Sequence, residues 1–444
     1  MNQDIIFRTF DIRGKYPEMI NEDVALRLGY CLGRMAKGKI AVGCDNRASS
    51  KKIVKPFISG LNLASKNEIT FLGEIPTEMI YFASGFLKFD LGIEITASHC
   101  QWEETGFKIC RKNANSFGPE LIKKLKNEFN EQPPISFKEP SFNFLDLYPQ
   151  YINYILKIIN PLEIKGNVLI LSFGGLCERL YKQLFSKFKN LKFKIKSLKE
   201  DLKGLPPNPL LEENRENIKK YAKFDFDLIA ASDGDGDRVI FFEPKNGDMI
   251  LPDFTAGILA ETLLEKKRGP IVFDCRKRII LSKVADKFKV PFYRTKAGYP
   301  FIKKEARKRR AIFGGEASGH YFYPQNFYSE SSVLTILYFI SYLNKHGKNL
   351  NDIELFKESF SLPEENFKIT NFSKIKNEFL KEFKNSQKDF IDGLTLWSKD
   401  WYLNIRPSQN EPLIRLNLEA RDKNTLNIIY KKARKVISKV QKLV

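Results

Sequence analysis

GPIVFDCRK, residues 269–277, is followed after one residue by IILSKVADKF, residues 279–288, and the pair reads as a buried strand, a polar loop and a helix. A short continuous apolar run passing into helical periodicity marks a parallel α/β unit covered on both faces. The same grammar occurs twice upstream. KIAVGCD (39–45) leads into an amphipathic stretch past Ser50, and NVLILSFGG (167–175) leads into CERLYKQLFSKF (177–188). Three such openings, each about a domain length apart, predict three similar α/β domains in series. The last portion differs. SLPEENFKI (361–369), a Lys- and Phe-rich amphipathic stretch, the alternating WYLNIRPSQNEPLIRLNLEA (401–420) and a closing basic helix predict a smaller α+β domain beginning near Pro363. The expected boundaries are 1–145, 146–246, 247–361 and 362–444. EQPPISFKEPSFN (131–143) and LKGLPPNPLLEEN (202–214) read as loops or linkers.

The 444 residues are 43% hydrophobic and 29% charged, a globular composition with material for several cores. Six cysteines are dispersed without a CxxC pair, which supports neither a disulfide framework nor a zinc knuckle. The amino terminus does not read as a secretory signal and no apolar run approaches a membrane span, so the expectation is a cytoplasmic protein with no membrane partner. The net charge of +21 raises nucleic acids, acidic lipids and phosphorylated small molecules as partners. IKKEARKRRAIF (302–313) and KKARKVISKVQKLV (431–444) lack interleaved aromatics for base stacking, so they read as solvated helix faces and no nucleic acid is expected.

Four segments carry chemistry. In ASDGDGDRVIFF (231–242), Asp233, Asp235 and Asp237 alternate with two glycines, so three carboxylates converge on a tight turn. Such anions repel unless a cation offsets them, and all-oxygen ligands suit Mg²⁺. An EF-hand is excluded, since Arg238 and Pro244 stand where that loop needs Gly and Glu. GIEITASHCQWEETGFK (92–108) ends a strand in a turn bearing Ser98 and His99. Adjacent side chains diverge, so His99 is not placed as a base for Ser98, and the residues alone read as a turn serine. FGGEASGHYFYP (313–324) sets Glu316, Ser318 and His320 in a Gly-bounded loop suited to sugar hydroxyls, with His320 able to exchange a proton. NIRPSQNEPLIR (404–415) offers Arg406, Ser408, Gln409, Asn410 and Arg415 around a turn, a donor set suited to phosphate.

Together with FRTFDIRG near Arg8, VGCDNRASS near Asp45 and PPNP near Asn208, these segments resemble, in order, the α-D-phosphohexomutase superfamily and its phosphomannomutase/phosphoglucomutase branch. The resemblance implies four domains around a central cleft and an enzyme that interconverts hexose 1-phosphate and hexose 6-phosphate, of mannose or glucose. It implies that Ser98 carries the phosphoryl group, that Mg²⁺ sits on Asp233, Asp235 and Asp237 with Ser98, and that a hexose 1,6-bisphosphate is intermediate and activator. Arg13, Lys108 and Arg238 match residues lining that site, with Lys108 and His320 as proton handlers. Glu316 and Ser318 match the readers of sugar hydroxyls. Arg406, Ser408, Gln409, Asn410 and Arg415 match the clamp on the distal phosphate.

Departures from the pattern are Cys100 and Gln101 for Asn-Pro, Thr105 for Asn, Tyr299 and Pro300 after Gly298, YSES at 328–331, and Asn410 for Thr. Losing the proline removes a fixed φ beside Ser98. Two alternatives follow: a weakly catalytic paralogue that senses sugar phosphates, or a phosphoglucosamine mutase, against which Ala317 and Gln409 stand. Oligomeric state is not legible.

Overall fold

The computed structural model describes residues 3–222, 225–347, 353, 359–368, 371–408 and 413–441. Its contacts divide the chain into two compact units, Met1–Met249 with Phe322–Ser341, and Ile250–Tyr321 with Tyr342–Val444. Among the described residues the strands gather into four sheets. Among the described residues no helix is long and apolar enough to cross a membrane.

The first unit holds two of these sheets. In one, Ile40–Cys44 lies parallel between Leu91–Ile95 and Ile69–Glu74, while Glu104–Arg111 runs antiparallel to Leu91–Ile95 and to Ile12–Lys15. Every residue of Ile40–Cys44 and Leu91–Ile95 is buried, as the uninterrupted apolar runs predict for strands covered on both faces. In the other sheet, Gly166–Ser172 lies parallel between Leu191–Ser197 and Leu228–Ser232, and Val239–Phe242 pairs antiparallel with Leu228–Ser232. The helices expected after the first two openings are Ala48–Ala64 and Glu178–Phe185. Around each sheet lies an apolar core, represented by Phe57, Phe107 and Phe129 in the first and by Phe173, Ile229 and Phe242 in the second.

Ser331, the last residue of YSES, and Ser332 after it have a structural task in this unit. Ser331 and Ser332 donate to Glu78 at 2.6 and 2.5 Å, and Tyr151 donates to the same carboxylate at 2.5 Å. Burial pushes the Glu78 carboxyl up, and these three hydroxyls pull against that shift.

In the second unit Ile271–Asp274 is parallel to Phe292–Thr295 and to Phe313–Gly315, and the helix after the opening quoted first is Ile279–Phe288. Tyr299 opens the helix Tyr299–Arg309, where Pro300 falls in the first turn and its missing N–H costs nothing. The carboxy-terminal sheet is antiparallel. Trp401–Pro407 sits between Leu394–Trp397 and Ile414–Ala420, backed by the helices Phe372–Glu382 and Lys423–Gln441 through a core that includes Phe379, Leu403 and Ile437.

Candidate active site

Ser98 follows the buried strand Leu91–Ile95 and adopts φ 53°, the left-handed region that a residue with a side chain enters at a cost. Arg47 holds the turn in place. Its guanidinium donates to the carbonyls of Ser98 and Cys100 at 2.9 Å each and of Gln101 at 2.6 Å, and it pairs with Asp45 at 3.2 Å. Ser50 completes the brace by donating to Asp45 at 2.6 Å. Three carbonyl anchors therefore supply the order that a proline would give at 100–101. Thr96 Oγ1 also accepts the Ser98 N–H at 2.8 Å.

The turn meets the aspartates. Ser98 Oγ donates to Asp233 Oδ2 at 3.1 Å. Asp233 Oδ1 accepts the N–H of Gly236 at 3.0 Å and of Arg238 at 3.3 Å, which folds the DGDGD run on itself. Gly234 is required by closeness, because a Cβ there would lie 2.3 Å from the Ser98 carbonyl oxygen. Gly236 is required by its φ of +74°.

One oxygen from each of Asp233, Asp235 and Asp237 falls within 4.8 Å of the others, and all three residues are buried. Burial, with Asp237 and Asp235 beside it, pushes the Asp233 carboxyl well above the usual carboxylate range. Asp235 Oδ1 is buried without a hydrogen-bond partner among the described residues. Three oxygen donors, one of them unsatisfied, and no thiolate fit a hard divalent ion.

Lys108 answers part of that charge, 2.6 Å from Asp235 Oδ2 and also paired with Asp237. Burial alone would lower its pKa, but Asp235 and Asp237 outweigh burial and raise it, so it stays an ammonium. Across the strand pair, Glu94 lies in register with Lys108. It is wholly buried, and burial pushes its carboxyl well up.

Arg13 sits 2.5 Å from Asp11 and donates to Cys100 Sγ at 2.7 Å, so the residue that departs from the pattern tethers a predicted phosphate ligand. His99 differs from expectation. Its Nδ1 lies 3.1 Å from Ser98 Oγ, because the left-handed Ser98 backbone turns neighbouring side chains together. Arg238 approaches His99 Nε2 at 3.4 Å, which assigns the ring proton to Nδ1. Burial, then Arg238 and Arg13, hold the ring well below the usual pKa of histidine. His99 is thus a neutral donor toward Ser98 rather than its base.

A second cluster lies within the second unit. Glu316 and His320 close a hairpin through Glu316 N–H to the His320 carbonyl at 3.0 Å. Glu316 Oε1 meets His320 Nδ1 at 2.6 Å and accepts from the Ser318 hydroxyl, while its Oε2 accepts the Gly298 N–H at 3.1 Å. Burial would raise the Glu316 carboxyl, but His320, Arg276 and Ser318 together hold it low. Asp274 ties the loop to the sheet, accepting from Ala317 N–H at 2.8 Å and from Arg276 at 3.0 and 2.8 Å.

Arg406 and Arg415 stand directly opposite each other on paired strands, a like-charge arrangement that needs an anion. Glu364 supplies one. It lies 2.9 Å from Arg415, 3.4 Å from Arg406 and 3.7 Å from Arg276, and it accepts from Asn417 at 2.9 Å. Burial alone would raise the Glu364 pKa, but Arg276, Arg406 and the other donors hold it down to about 2. Ser408 N–H bonds the Leu413 carbonyl at 2.8 Å, closing the base of the loop. Gln409 and Asn410 lie outside the described residues.

The residues singled out in the sequence thus fall into two groups. Ser98, Arg13, Lys108, Arg238 and the aspartates gather in the first unit. Glu316, Ser318 and His320 share one loop of the second, where Arg406 and Arg415 pair. Arg47, Arg276 and Glu364 were not singled out. Arg47 and Arg276 had a faint signal, since each stands two residues after an Asp at or just past the end of a buried strand; Glu364 had none.

The chain is similar to known proteins along nearly its whole length. Family models described as phosphoglucomutase/phosphomannomutase α/β/α domain I and domain III match residues 4–135 and 251–358. The chain is 31% identical to a phosphomannomutase of Methanocaldococcus jannaschii over 98% of both chains, and 31% identical to one of Vibrio cholerae over the full length of both. The crystal structure of a phosphoglucomutase/phosphomannomutase family protein from Burkholderia thailandensis shares the fold, with TM-score 0.85 at 22% identity over 99% of this chain and 98% of that one.

Proposed function

Because the chain belongs to the phosphoglucomutase/phosphomannomutase family, we propose that it moves a phosphoryl group between carbons 1 and 6 of a hexose, with Ser98 as the relay. The observation that carries this reading is the Ser98 hydroxyl, held in a left-handed turn 3.1 Å from Asp233 with Lys108 bound to the neighbouring carboxylates. Phosphoryl transfer asks for positioning and charge neutralisation more than for elaborate covalent machinery. Arg47 fixes where Ser98 Oγ stands. Asp233, Asp235 and Asp237 would hold Mg²⁺ together with the Ser98 oxygen, and the ion would neutralise developing charge on the phosphate oxygens.

In this reading Ser98 Oγ carries the phosphoryl group, passes it to a sugar hydroxyl, and takes back the one at the other end of a hexose 1,6-bisphosphate. Arg13 and Arg238 bear on the phosphate oxygens. Lys108 is assigned as a proton handler beside Ser98; held as an ammonium by Asp235 and Asp237, it cannot remove a proton without first losing one. Glu316 and Ser318 are assigned to hydroxyls on carbons 3 and 4, which glucose and mannose share, so both epimers should be accepted. His320 is the second proton handler, oriented by Glu316. Arg406, Ser408, Gln409, Asn410 and Arg415 take the distal phosphate. The division at 145, 246 and 361 belongs to the same proposal.

The test is intact mass after incubation with glucose 1,6-bisphosphate, beside turnover of glucose and mannose 1-phosphates with Mg²⁺. A gain of one phosphoryl group that Ser98→Ala abolishes supports the relay. Turnover that Ser98→Ala leaves untouched removes it.

A further inference from the structure

A cavity of about 480 Å³ opens within the second unit, between the helix Ile279–Phe288 and the ends of the strands Leu394–Trp397 and Trp401–Pro407. That volume suits a ligand of metabolite size. Two of the three tryptophans of the chain, Trp397 and Trp401, line it, both half-buried, with Tyr402. Three cations, Arg278, Lys399 and Arg421, also line it, against one carboxylate, Asp286. Arg278 lies over the Trp397 ring at 5.4 Å and its backbone N–H bonds the Glu419 carboxylate at 2.5 Å, yet the charged group of none of the three cations forms an ion pair among the described residues.

Neighbouring charges are answered, which sets these three apart. Arg294, on the same Trp397 ring at 5.2 Å, pairs with Asp389 at 2.7 Å and donates to Tyr402 at 2.8 Å. Tyr402 in turn donates to the Cys275 carbonyl at 2.5 Å, so the wall is fixed. The larger cavity of about 770 Å³ in the first unit has its cations committed, Arg179 to Asp146 at 2.6 Å and Lys182 to Glu178 at 3.0 Å.

Aromatic and guanidinium planes accept the face of a planar heterocycle, and unanswered guanidinium and ammonium groups accept phosphate oxygens. We propose that this cavity is a second ligand site that binds a nucleoside diphosphate, its base against Trp397 and Arg278 and its phosphates toward Lys399 and Arg421. The site is separate from the phosphate clamp. Trp401 and Arg406 are five residues apart on one strand, about 17 Å at strand rise. Arg421 follows the strand Ile414–Ala420, whose second residue is Arg415.

The experiment titrates ADP, GDP and UDP separately into the full chain, read by tryptophan fluorescence and calorimetry, with and without saturating glucose 1,6-bisphosphate. Saturable binding of at least one of them is expected, unchanged by the bisphosphate and weakened at least about tenfold by Arg421→Glu or Lys399→Glu. Both side chains are exposed, so the fold should tolerate these changes, and mutase turnover without nucleotide should be retained. Four results would overturn the proposal: no saturable binding below about 1 mM, displacement by the bisphosphate, equal affinity in both charge-reversal variants, or inorganic phosphate binding as tightly as the nucleotides.

Discussion

In the first unit the chain crowds three carboxylates and answers them with an ammonium, Lys108; in the second it crowds three guanidiniums and answers them with a carboxylate, Glu364. The first cluster is buried and the second partly so, and in the proposed function a group from the chain stands in each where an ion of the same sign would bind. The difference lies in how each cluster is built. The anionic one comes from two turns whose backbones are constrained, Ser98 by its left-handed φ and the aspartates by Gly234 and Gly236. The cationic one comes from straight strand ends, and its neutraliser arrives from a separate segment. A site held by backbone should lose function when one side chain is changed, whereas a site held by charge balance should shift its affinities.

The largest expected effect breaks the first cluster at its centre. Ser98→Ala should lower turnover by at least about 10³-fold, because the relay oxygen is gone. Sugar-phosphate binding should persist, since the second cluster is untouched. Calorimetry with glucose 1-phosphate checks the second half, and loss of binding in parallel would contradict the separation of roles.

Next comes the charge of the aspartates. Asp235→Asn should cut turnover roughly 10–100-fold and weaken Mg²⁺ binding, because one anionic oxygen donor is neutralised. Chelation should stop the wild-type protein. An unchanged Mg²⁺ titration would show that Lys108 alone balances the aspartates.

Arg47→Lys probes the brace instead of the chemistry. An ammonium cannot span Asp45 and three carbonyls as the guanidinium fork does. Turnover should fall about tenfold with little change in KM, since the Ser98 turn loosens while the second cluster still holds substrate. A rise in KM at constant turnover would assign Arg47 to substrate binding.

These clusters also mark how far the sequence could be read. The central strands were legible because Ile40–Cys44, Leu91–Ile95 and Ile271–Asp274 are short unbroken apolar runs. The edge strands Asn143–Phe144 and Glu365–Phe367 were not, being short, polar and stabilised only by their partners. The aspartate cluster was legible because its ligands alternate within five residues. Arg47 was hidden because its carbonyl partners lie 51 to 54 positions away, and Glu364 because Arg406 and Arg415 lie 42 and 51 positions away. His99 is no base for Ser98, as its adjacency suggests, but the two side chains meet instead of diverging because the Ser98 backbone is left-handed.

Glu364→Gln is the smallest and sharpest test of the contrast. In the free protein the Glu364 carboxylate bonds Arg415 and Asn417 and faces Arg276 and Arg406, so an arriving phosphate must compete with it. Removing the negative charge should tighten phosphate binding and lower KM a few-fold, worth about 1 kcal/mol, with kcat changed little. The same substitution should destabilise the fold near neutral pH. The folded pKa, about 2, lies below the unfolded value of about 4.3. Its contribution is therefore complete above the unfolded pKa, on the order of 2–3 kcal/mol, and is lost as pH falls from there through the folded value. Urea unfolding of both proteins should show a gap at pH 7 that narrows at pH 3. A gap that stays constant with pH would mean that Glu364 acts through packing, and a KM that rises instead of falling would make it a substrate ligand and not a stand-in for phosphate.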